Sequence, residues 1–326
     1  MSRMSRRAAL DVLFTGRFDA SERELWRRAL REAAPEFTWW CDDAADLPRD
    51  SIAAAVVANP APGALAALPQ LRLVQSLWAG VEKLLADTTL PPAVPLARMV
   101  DPAMSQAMAE TALWAVLALQ RGFFIYAARQ RAGEWRPHAQ RRAADVHVLV
   151  LGLGQMGRAV ARSLAAQGFR VDAWHTGSSA AATAPPQGVA VHGGAAALAG
   201  LWPAAEIVVN LLPLTPATRG LLDADVFAAL PAGASLINLA RGAHVNDADL
   251  LAALDRGHLQ HAVLDVFHVE PLPAEHAYWR HPQVTVLPHV AALTDARSAA
   301  AVVASNLRAL RDGRPLAHLV DRSRGY

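Results

Sequence analysis

Three residues whose side chains suit acid–base and carboxylate chemistry occur after predicted strands in the second half of the chain. Arg241 follows a strand at 234–239, Glu270 follows one at 261–267, and His289 follows one at 284–287. The planar guanidinium of arginine can donate two hydrogen bonds to a carboxylate. Histidine exchanges a proton near neutral pH, and a glutamate beside it orients the imidazole and favours its charged form. Each alone is more often a surface or turn residue, so it is their shared placement at strand ends that predicts a catalytic site.

A glycine-rich segment lies near the middle of the chain. An apolar strand at 146–151 runs into Gly152-Leu153-Gly154-Gln155-Met156-Gly157, and a helical pattern follows. In this frame the first glycine allows a tight turn, the second lets the backbone approach a pyrophosphate, and the third lets helix and strand pack closely. The N–H groups at the helix start then meet the phosphate charge. A dinucleotide together with Arg, Glu and His suits the reduction of a 2-keto acid.

Strand and helix signals alternate on both sides of this motif. The first part predicts strands at 10–14, 37–40, 52–58, 71–76 and 95–100, and the second at 146–151, 170–174, 206–212, 234–239, 261–267 and 284–287. The pattern indicates an α/β protein with two doubly wound parallel-sheet domains of Rossmann and flavodoxin-like type. A helix at 21–33 is predicted to begin with a capping box of Ser21 and Glu24.

The position of the motif predicts an inserted cofactor domain. About 150 residues precede it, so we expect a substrate domain of residues 1–101 and 290–326 and an NAD(P)-binding domain of residues 102–289. A long apolar helix near 102–125 and a last helix near 294–310 are the expected crossings. The cleft between the domains is the expected site.

Composition limits the classes of function. The 326 residues are 53% hydrophobic and 18% charged, as in a globular chain, and the formal net charge of +2 gives no reason to expect nucleic acid. Cys41 is the only cysteine, which excludes an intrachain disulfide and suits a reducing compartment, so we expect a cytoplasmic protein.

Charges near the N-terminus make a poor signal peptide. The apolar stretch 107–128 is interrupted by Glu110 and Arg121, which argues against a membrane span. His258 and His261 are too sparse to predict a metal site.

The turn after the second strand of the motif bears on the cofactor. NAD-preferring domains place an acidic residue there to bind the ribose 2′-hydroxyl, but this chain has His175. Asp172 comes too early, inside the strand, where we expect it to point to a face of the sheet. His175, Thr176, Ser178 and Ser179 are able to bind a 2′-phosphate, so NADP(H) is favoured and NAD(H) is possible.

Further segments carry a family resemblance over nearly the whole chain. They read N-L-L-P-L-T-P-A-T from Asn210, I-N-L-A-R-G-A-H-V from Ile237, L-D-V-F-H-V-E-P-L-P from Leu264, and P-H-V-A-A from Pro288. With the glycine motif, these segments resemble the D-isomer-specific 2-hydroxyacid dehydrogenases, and most closely the glyoxylate/hydroxypyruvate reductase branch.

The resemblance implies a role for each matching residue. Arg241 would clamp the substrate carboxylate and carbonyl, and His289, paired with Glu270, would protonate the new hydroxyl. The cofactor would meet Gly152, Gly154, Gln155, Met156, Gly157, His175, Thr176, Ser178, Leu211, Leu212, Pro213, Thr218, Leu239, Ala240 and Asp265, the last near the nicotinamide. The carboxylate of a small 2-keto acid, such as glyoxylate or hydroxypyruvate, would bind the loop Trp78-Ala79-Gly80-Val81, where a glycine turn at a helix start is also a natural anion nest. The family further implies a homodimer crossed by the helix near 102–125.

Two other classes of protein share the glycine motif. The 3-hydroxyacid dehydrogenases have it at the N-terminus with a lysine downstream, whereas the only lysine here, Lys83, precedes it. A non-catalytic, corepressor-like sensor of dinucleotides is the alternative, since a fold does not fix a function. Such a sensor would not need Arg241, Glu270 and His289 together.

Overall fold

The chain folds into two compact α/β units. The computed structural model describes residues 10–177 and 184–325. One unit comprises Met1–Ala103 and Thr294–Tyr326, and the other comprises Met104–Leu293, whereas the sequence places these divisions after residues 101 and 289. Both units are built on parallel sheets, so the predicted fold class is confirmed.

The first unit holds a five-stranded parallel sheet in the order β2-β1-β3-β4-β5. Its strands are β1 (Asp11–Gly16), β2 (Thr38–Cys41), β3 (Ile52–Ala58), β4 (Leu73–Ser76) and β5 (Leu96–Ala97). The helices α1 (Ala20–Ala33), α2 (Glu82–Leu85) and, after the second unit, α9 (Ala296–Asp312) belong to it. The central strand β3 is buried along its whole length, as a strand covered on both faces must be.

The start of α1 differs from the prediction. Asp19, not Ser21, is the N-cap: its carboxylate accepts the N–H of Glu22 at 2.8 Å, and Glu22 accepts the N–H of Asp19 in return. Ser21 donates its hydroxyl to Asp19. The predicted Ser21–Glu24 capping box is therefore wrong. A pair with the same spacing, Asp19 and Glu22, occurs two residues earlier and caps the helix instead.

The second unit holds a seven-stranded parallel sheet in the order β12-β11-β10-β9-β6-β7-β8. Its strands are β6 (His147–Leu151), β7 (Arg170–His175), β8 (Val189–Gly193), β9 (Ile207–Asn210), β10 (Ala234–Asn238), β11 (Leu259–Leu264) and β12 (Val284–Val286). The sequence analysis did not predict β8, a short edge strand that pairs with β7 alone and is mostly half-buried or exposed. Helices α5 (Gln155–Ala166), α6 (Ala195–Leu201), α7 (Ala224–Ala229) and α8 (Asp247–Asp255) connect the strands.

The predicted helix at 102–125 is in fact two helices. The first, α3 (Pro102–Gln120), ends before Gly122, and α4 (Phe123–Arg131) follows at a bend of 64°. Gly122 has φ +71°, and a Cβ there would lie 2.7 Å from the ring of His138, so the turn requires glycine. Within the described ranges no single helix is long and apolar enough to cross a membrane, and this bent pair meets the test only by length and composition.

Candidate active site

The structure brings His289 and Glu270 together. The imidazole Nδ1 of His289 is 2.7 Å from Oε2 of Glu270, while Oε1 of Glu270 accepts the backbone N–H of Phe267 at 2.9 Å. The two side chains are 52% and 36% exposed. With Nδ1–H donated to a carboxylate, Nε2 is the nitrogen left to exchange a proton with a substrate.

A buried carboxylate fixes the turn that presents His289. The backbone of His289 is left-handed, with φ +55°. Asp265 is 1% exposed and accepts the N–H groups of Val290 and Ala291 at 2.7 and 3.1 Å, while its carbonyl accepts the N–H of His289. Burial raises the pKa of the Asp265 carboxyl, and the two N–H donors oppose that shift. The contacts of Asp265 therefore anchor the His289 turn, a role that the sequence did not suggest.

Arg241 lies beyond the carboxyl end of β10, next in the sheet to β11, whose end leads to Glu270. The Arg241 carbonyl accepts Asn238 Nδ2 at 3.0 Å and the N–H of His244 at 3.2 Å, and one guanidinium nitrogen donates to the carbonyl of Ala240. A Cβ on Gly242 would lie 2.0 Å from the carbonyl carbon of Phe267, so the Arg241 and Glu270 loops pack backbone to backbone. The residues predicted to act together thus follow the adjacent strands β10, β11 and β12.

The glycine turn has the shape that a pyrophosphate needs. A Cβ on Gly152, at φ +97°, would be 2.7 Å from the carbonyl oxygen of Leu211, and one on Gly157 would be 1.8 Å from that of Gly152. No described atom lies within 4 Å of a Cβ built on Gly154, which is the N-cap of α5 and has no side-chain cap. The first and third glycines are required by packing, whereas the second leaves space beside the N–H groups of the helix start. These residues, with Gln155 and Met156, fit a dinucleotide phosphate.

The last residue of β7 contains a buried nitrogen that has no hydrogen-bond partner among the described residues. Nδ1 of His175 accepts and donates no hydrogen bond among the described residues, and its ring packs 2.8 Å from where a Cβ of Gly193 would be. Asp172 lies within β7, where it pairs with His147 of β6 and His192 of β8 on one face of the sheet, as expected. Thr176 is exposed. Ser178, which the sequence also assigned to the cofactor, lies outside the described residues.

The other predicted cofactor residues form two loops at the ends of β9 and β10. Thr218 is 1% exposed and donates its hydroxyl to the carbonyl of Pro213 at 2.7 Å, so its side chain shapes the first loop. Leu211 is half-buried beside Pro213, whereas Leu212, Leu239 and Ala240 are buried.

Polar side chains that were not predicted from the sequence fix the positions of these loops through hydrogen bonds. Asn210 and Asn238 join β9 to β10 through their side chains at 3.0 Å. His244, with no exposed surface, has Nδ1 3.1 Å from the carbonyl of Arg241 and Nε2 3.3 Å from that of Pro213. The arginine loop and the first cofactor loop thus share one buried imidazole. Nothing in the sequence except a histidine near Arg241 signalled it.

The predicted substrate loop belongs to the first unit, after β4. The Ser76 hydroxyl accepts the N–H of Trp78 and donates to its carbonyl, both at 3.0 Å, and that carbonyl also accepts the N–H of Met99. The Trp78 ring meets the buried Trp26 edge-on at 6.2 Å. In the described parts of the chain, no acceptor bonds the N–H groups of 79–81. Three consecutive open donors at a fixed turn suit a carboxylate.

A glycine turn on a seven-stranded parallel sheet, inserted into a second α/β unit, is typical of NAD(P)-dependent dehydrogenases. Residues 113–291 match the family described as D-isomer specific 2-hydroxyacid dehydrogenase, NAD binding domain. The chain therefore belongs to the D-isomer specific 2-hydroxyacid dehydrogenase family, as its sequence motifs indicated, and it is an NAD(P)-dependent enzyme of that family.

Relatives and solved structures cover almost the whole chain. A glyoxylate/hydroxypyruvate reductase A from Serratia proteamaculans is 40% identical over 95% of this chain and 97% of its own length. A D-isomer specific 2-hydroxyacid dehydrogenase from Xanthobacter autotrophicus Py2, solved with NADPH and MES, has 40% identity and a TM-score of 0.91 over 98% of this chain and 100% of its own. An NADPH-dependent glyoxylate/hydroxypyruvate reductase from Sinorhizobium meliloti, solved with NADP and sulfate, has 36% identity and a TM-score of 0.89 over 97% and 100%.

Proposed function

We propose that this chain reduces small 2-keto acids, glyoxylate and hydroxypyruvate first, to 2-hydroxy acids with NADPH. The observation that carries the proposal is the 2.7 Å pair of His289 and Glu270, at the same sheet edge as Arg241. The choice of substrates is supported by the names of the Serratia and Sinorhizobium proteins. In this proposal the second unit binds the cofactor and the first unit binds the substrate carboxylate at 79–81.

The chemistry divides among few side chains. When bound, NADPH supplies the hydride that reaches the carbonyl carbon of the keto acid. Arg241 pairs with the carboxylate and polarises the carbonyl oxygen. His289, as imidazolium, donates the Nε2 proton to that oxygen, which becomes the hydroxyl of the product. Glu270 accepts Nδ1–H and stabilises the charged imidazole, while Asp265 keeps the turn in place.

The preference for NADPH rests on the turn after β7. Asp172 is engaged by two histidines within the sheet, and 173–183 contain no acidic residue to repel a 2′-phosphate. Within the part of the chain that the structure describes, the buried Nδ1 of His175 has no hydrogen-bond partner, and the neighbouring Thr176 is exposed. The Xanthobacter and Sinorhizobium structures, solved with NADPH and NADP, support the same choice.

A panel of 2-keto acids assayed with both cofactors tests the proposal. We expect kcat/KM with NADPH to exceed that with NADH by more than about tenfold, a gap of about 1.4 kcal/mol, and glyoxylate and hydroxypyruvate to lead the panel. Equal efficiencies with the two cofactors would contradict the phosphate site. Arg241→Lys keeps the positive charge but loses the planar guanidinium that binds a carboxylate through two hydrogen bonds, so the KM for the keto acid should rise. An unchanged KM would contradict the proposed binding of the carboxylate by Arg241.

We also propose that the enzyme is a homodimer. Large apolar side chains of α3, α4 and the segment after them are exposed, including Trp114, Phe123 and the fully exposed Trp135. Sedimentation at micromolar concentration is expected to give twice the 34.7 kDa chain mass. A monomer would refute this part of the proposal.

A further inference from the structure

The loop that carries Glu270 is tied to the loop that carries Arg241 by one histidine. His268, two residues before Glu270, has its Nε2 2.9 Å from the carbonyl oxygen of Val245 and 3.6 Å from Oδ1 of Asp247. Both atoms are acceptors, so Nε2 carries a proton and donates to Val245. We infer that His268 is a positioning residue that holds Glu270 against His289. This inference rests on the proposed function.

The acceptor of this bond belongs to the same turn as Arg241. Val245 is 2% exposed, and its N–H donates to the carbonyl of Gly242 at 3.0 Å. The N–H of His244 donates in turn to the carbonyl of Arg241 at 3.2 Å. A short 3₁₀ turn, Gly242–His244, therefore connects Arg241 rigidly to the carbonyl that His268 binds.

A fixed carboxylate faces the same imidazole. Asp247 is the first residue of α8, and its Oδ1 accepts the hydroxyl of Tyr278 at 2.8 Å. Tyr278 is 2% exposed, so this bond holds the carboxylate in place. His276 lies on the other oxygen of Asp247, with Nε2 at 3.7 Å. The titratable groups around His268 are thus Asp247 and, through it, Tyr278 and His276.

The position of His268 determines where the Glu270 carboxylate lies. Oε1 of Glu270 accepts the N–H of Phe267, the residue before His268, and Oε2 reaches His289. The loop is therefore closed on itself and moves as a unit. Its backbone contact with Gly242 sets how closely the loops approach, and the His268 bond to Val245 resists sliding of one loop along the other. A shift of the Glu270 loop would carry Oε2 away from Nδ1 of His289.

The test uses five single variants and one double variant of the full-length enzyme. His268→Ala is expected to lower kcat for keto-acid reduction about five- to tenfold, the worth of one hydrogen bond. The pH above which kcat falls should also move lower, because a displaced Glu270 stabilises the charged imidazole less. His268→Gln, whose amide N–H₂ reaches Val245, should restore both. His258→Ala removes a similar bond, from His258 Nε2 to the carbonyl of Leu230 at 3.1 Å, and should change neither.

A double-mutant cycle separates positioning from general stability. In a Glu270→Gln background, His268→Ala should change kcat by less than about twofold, because the carboxylate through which it acts is gone. The inference is overturned if His268→Ala leaves kcat and the pH profile unchanged, or if it lowers kcat equally in both backgrounds. Failure of the proposed function gives a different result from failure of this inference. If the proposed function is wrong, His289→Asn retains turnover. If only the inference about His268 is wrong, the double-mutant cycle shows no coupling, but turnover still requires His289 and Glu270.

Discussion

Replacing Asp265 with asparagine tests whether its carboxylate positions the acid. Asp265 accepts two backbone N–H groups, at 2.7 and 3.1 Å, where the chain turns at His289 with a left-handed backbone. An amide of the same shape accepts at only one of its two atoms, so one buried N–H loses its partner and the other loses a charged acceptor. An orphaned buried donor costs about 1–3 kcal/mol. Relief of the buried charge offsets part of this cost.

We therefore expect the turn to be destabilised by about 1–3 kcal/mol, which lowers kcat by about 5- to 150-fold because His289 is displaced. The assay is kcat for glyoxylate reduction at saturating NADPH, with the Kd of NADPH measured by fluorescence. Asp172→Asn is the matched control, because Asp172 also accepts two groups but lies on β7, away from β11 and β12. A raised Kd for NADPH with unchanged kcat would refute the reasoning and make Asp265 a cofactor residue, as the sequence suggested.

The remaining predictions concern the cofactor turn and acid stability. Gly154→Ala should keep the melting temperature but weaken NADPH binding, whereas Gly157→Ala should lower the melting temperature, because their added Cβ atoms meet open space and an oxygen at 1.8 Å respectively. His175→Asp should lower the ratio of kcat/KM with NADPH to kcat/KM with NADH by at least about tenfold, since a carboxylate repels a 2′-phosphate. An unchanged ratio would show that the 2′-phosphate does not bind beside His175. Burial lowers the pKa of His261 to about 4 from 6.5 in the unfolded chain, so the unfolded state binds more protons between these values and stability falls as pH falls from 6.5 to 4, by about 3 kcal/mol in all. In urea unfolding, His261→Gln should lose less of its free energy of unfolding between pH 6.5 and 4 than the unmodified enzyme. An identical loss would contradict the assignment of this pH dependence to His261.

Patterns local in sequence were enough to predict the fold class and the family. Each strand of the sheets except β8 matches a strand predicted from the sequence, and the motifs lie directly after strand ends, so parallel topology alone implied that they share an edge. The pairing of His289 with Glu270 followed from the same logic and from the family resemblance.

Features that depend on tertiary contacts were not predictable in this way. The break at Gly122 lies within a mostly apolar stretch, and the close approach of Gly122 to the ring of His138 is a tertiary contact. The anchoring role of Asp265 requires partners 25 residues or more away in the chain, and His244 bridges two loops that no sequence pattern connects. The choice between two capping residues at α1 was ambiguous because each precedes a glutamate at the required spacing.

The central claim is that His289, held by Glu270, is the acid that protonates the substrate. The most direct measurement is the turnover of His289→Asn with glyoxylate and NADPH, made alongside the Kd of NADPH for the same variant. The account predicts that kcat falls by about 10²- to 10⁴-fold while NADPH binding stays within about twofold. Turnover close to that of the unmodified enzyme would contradict it.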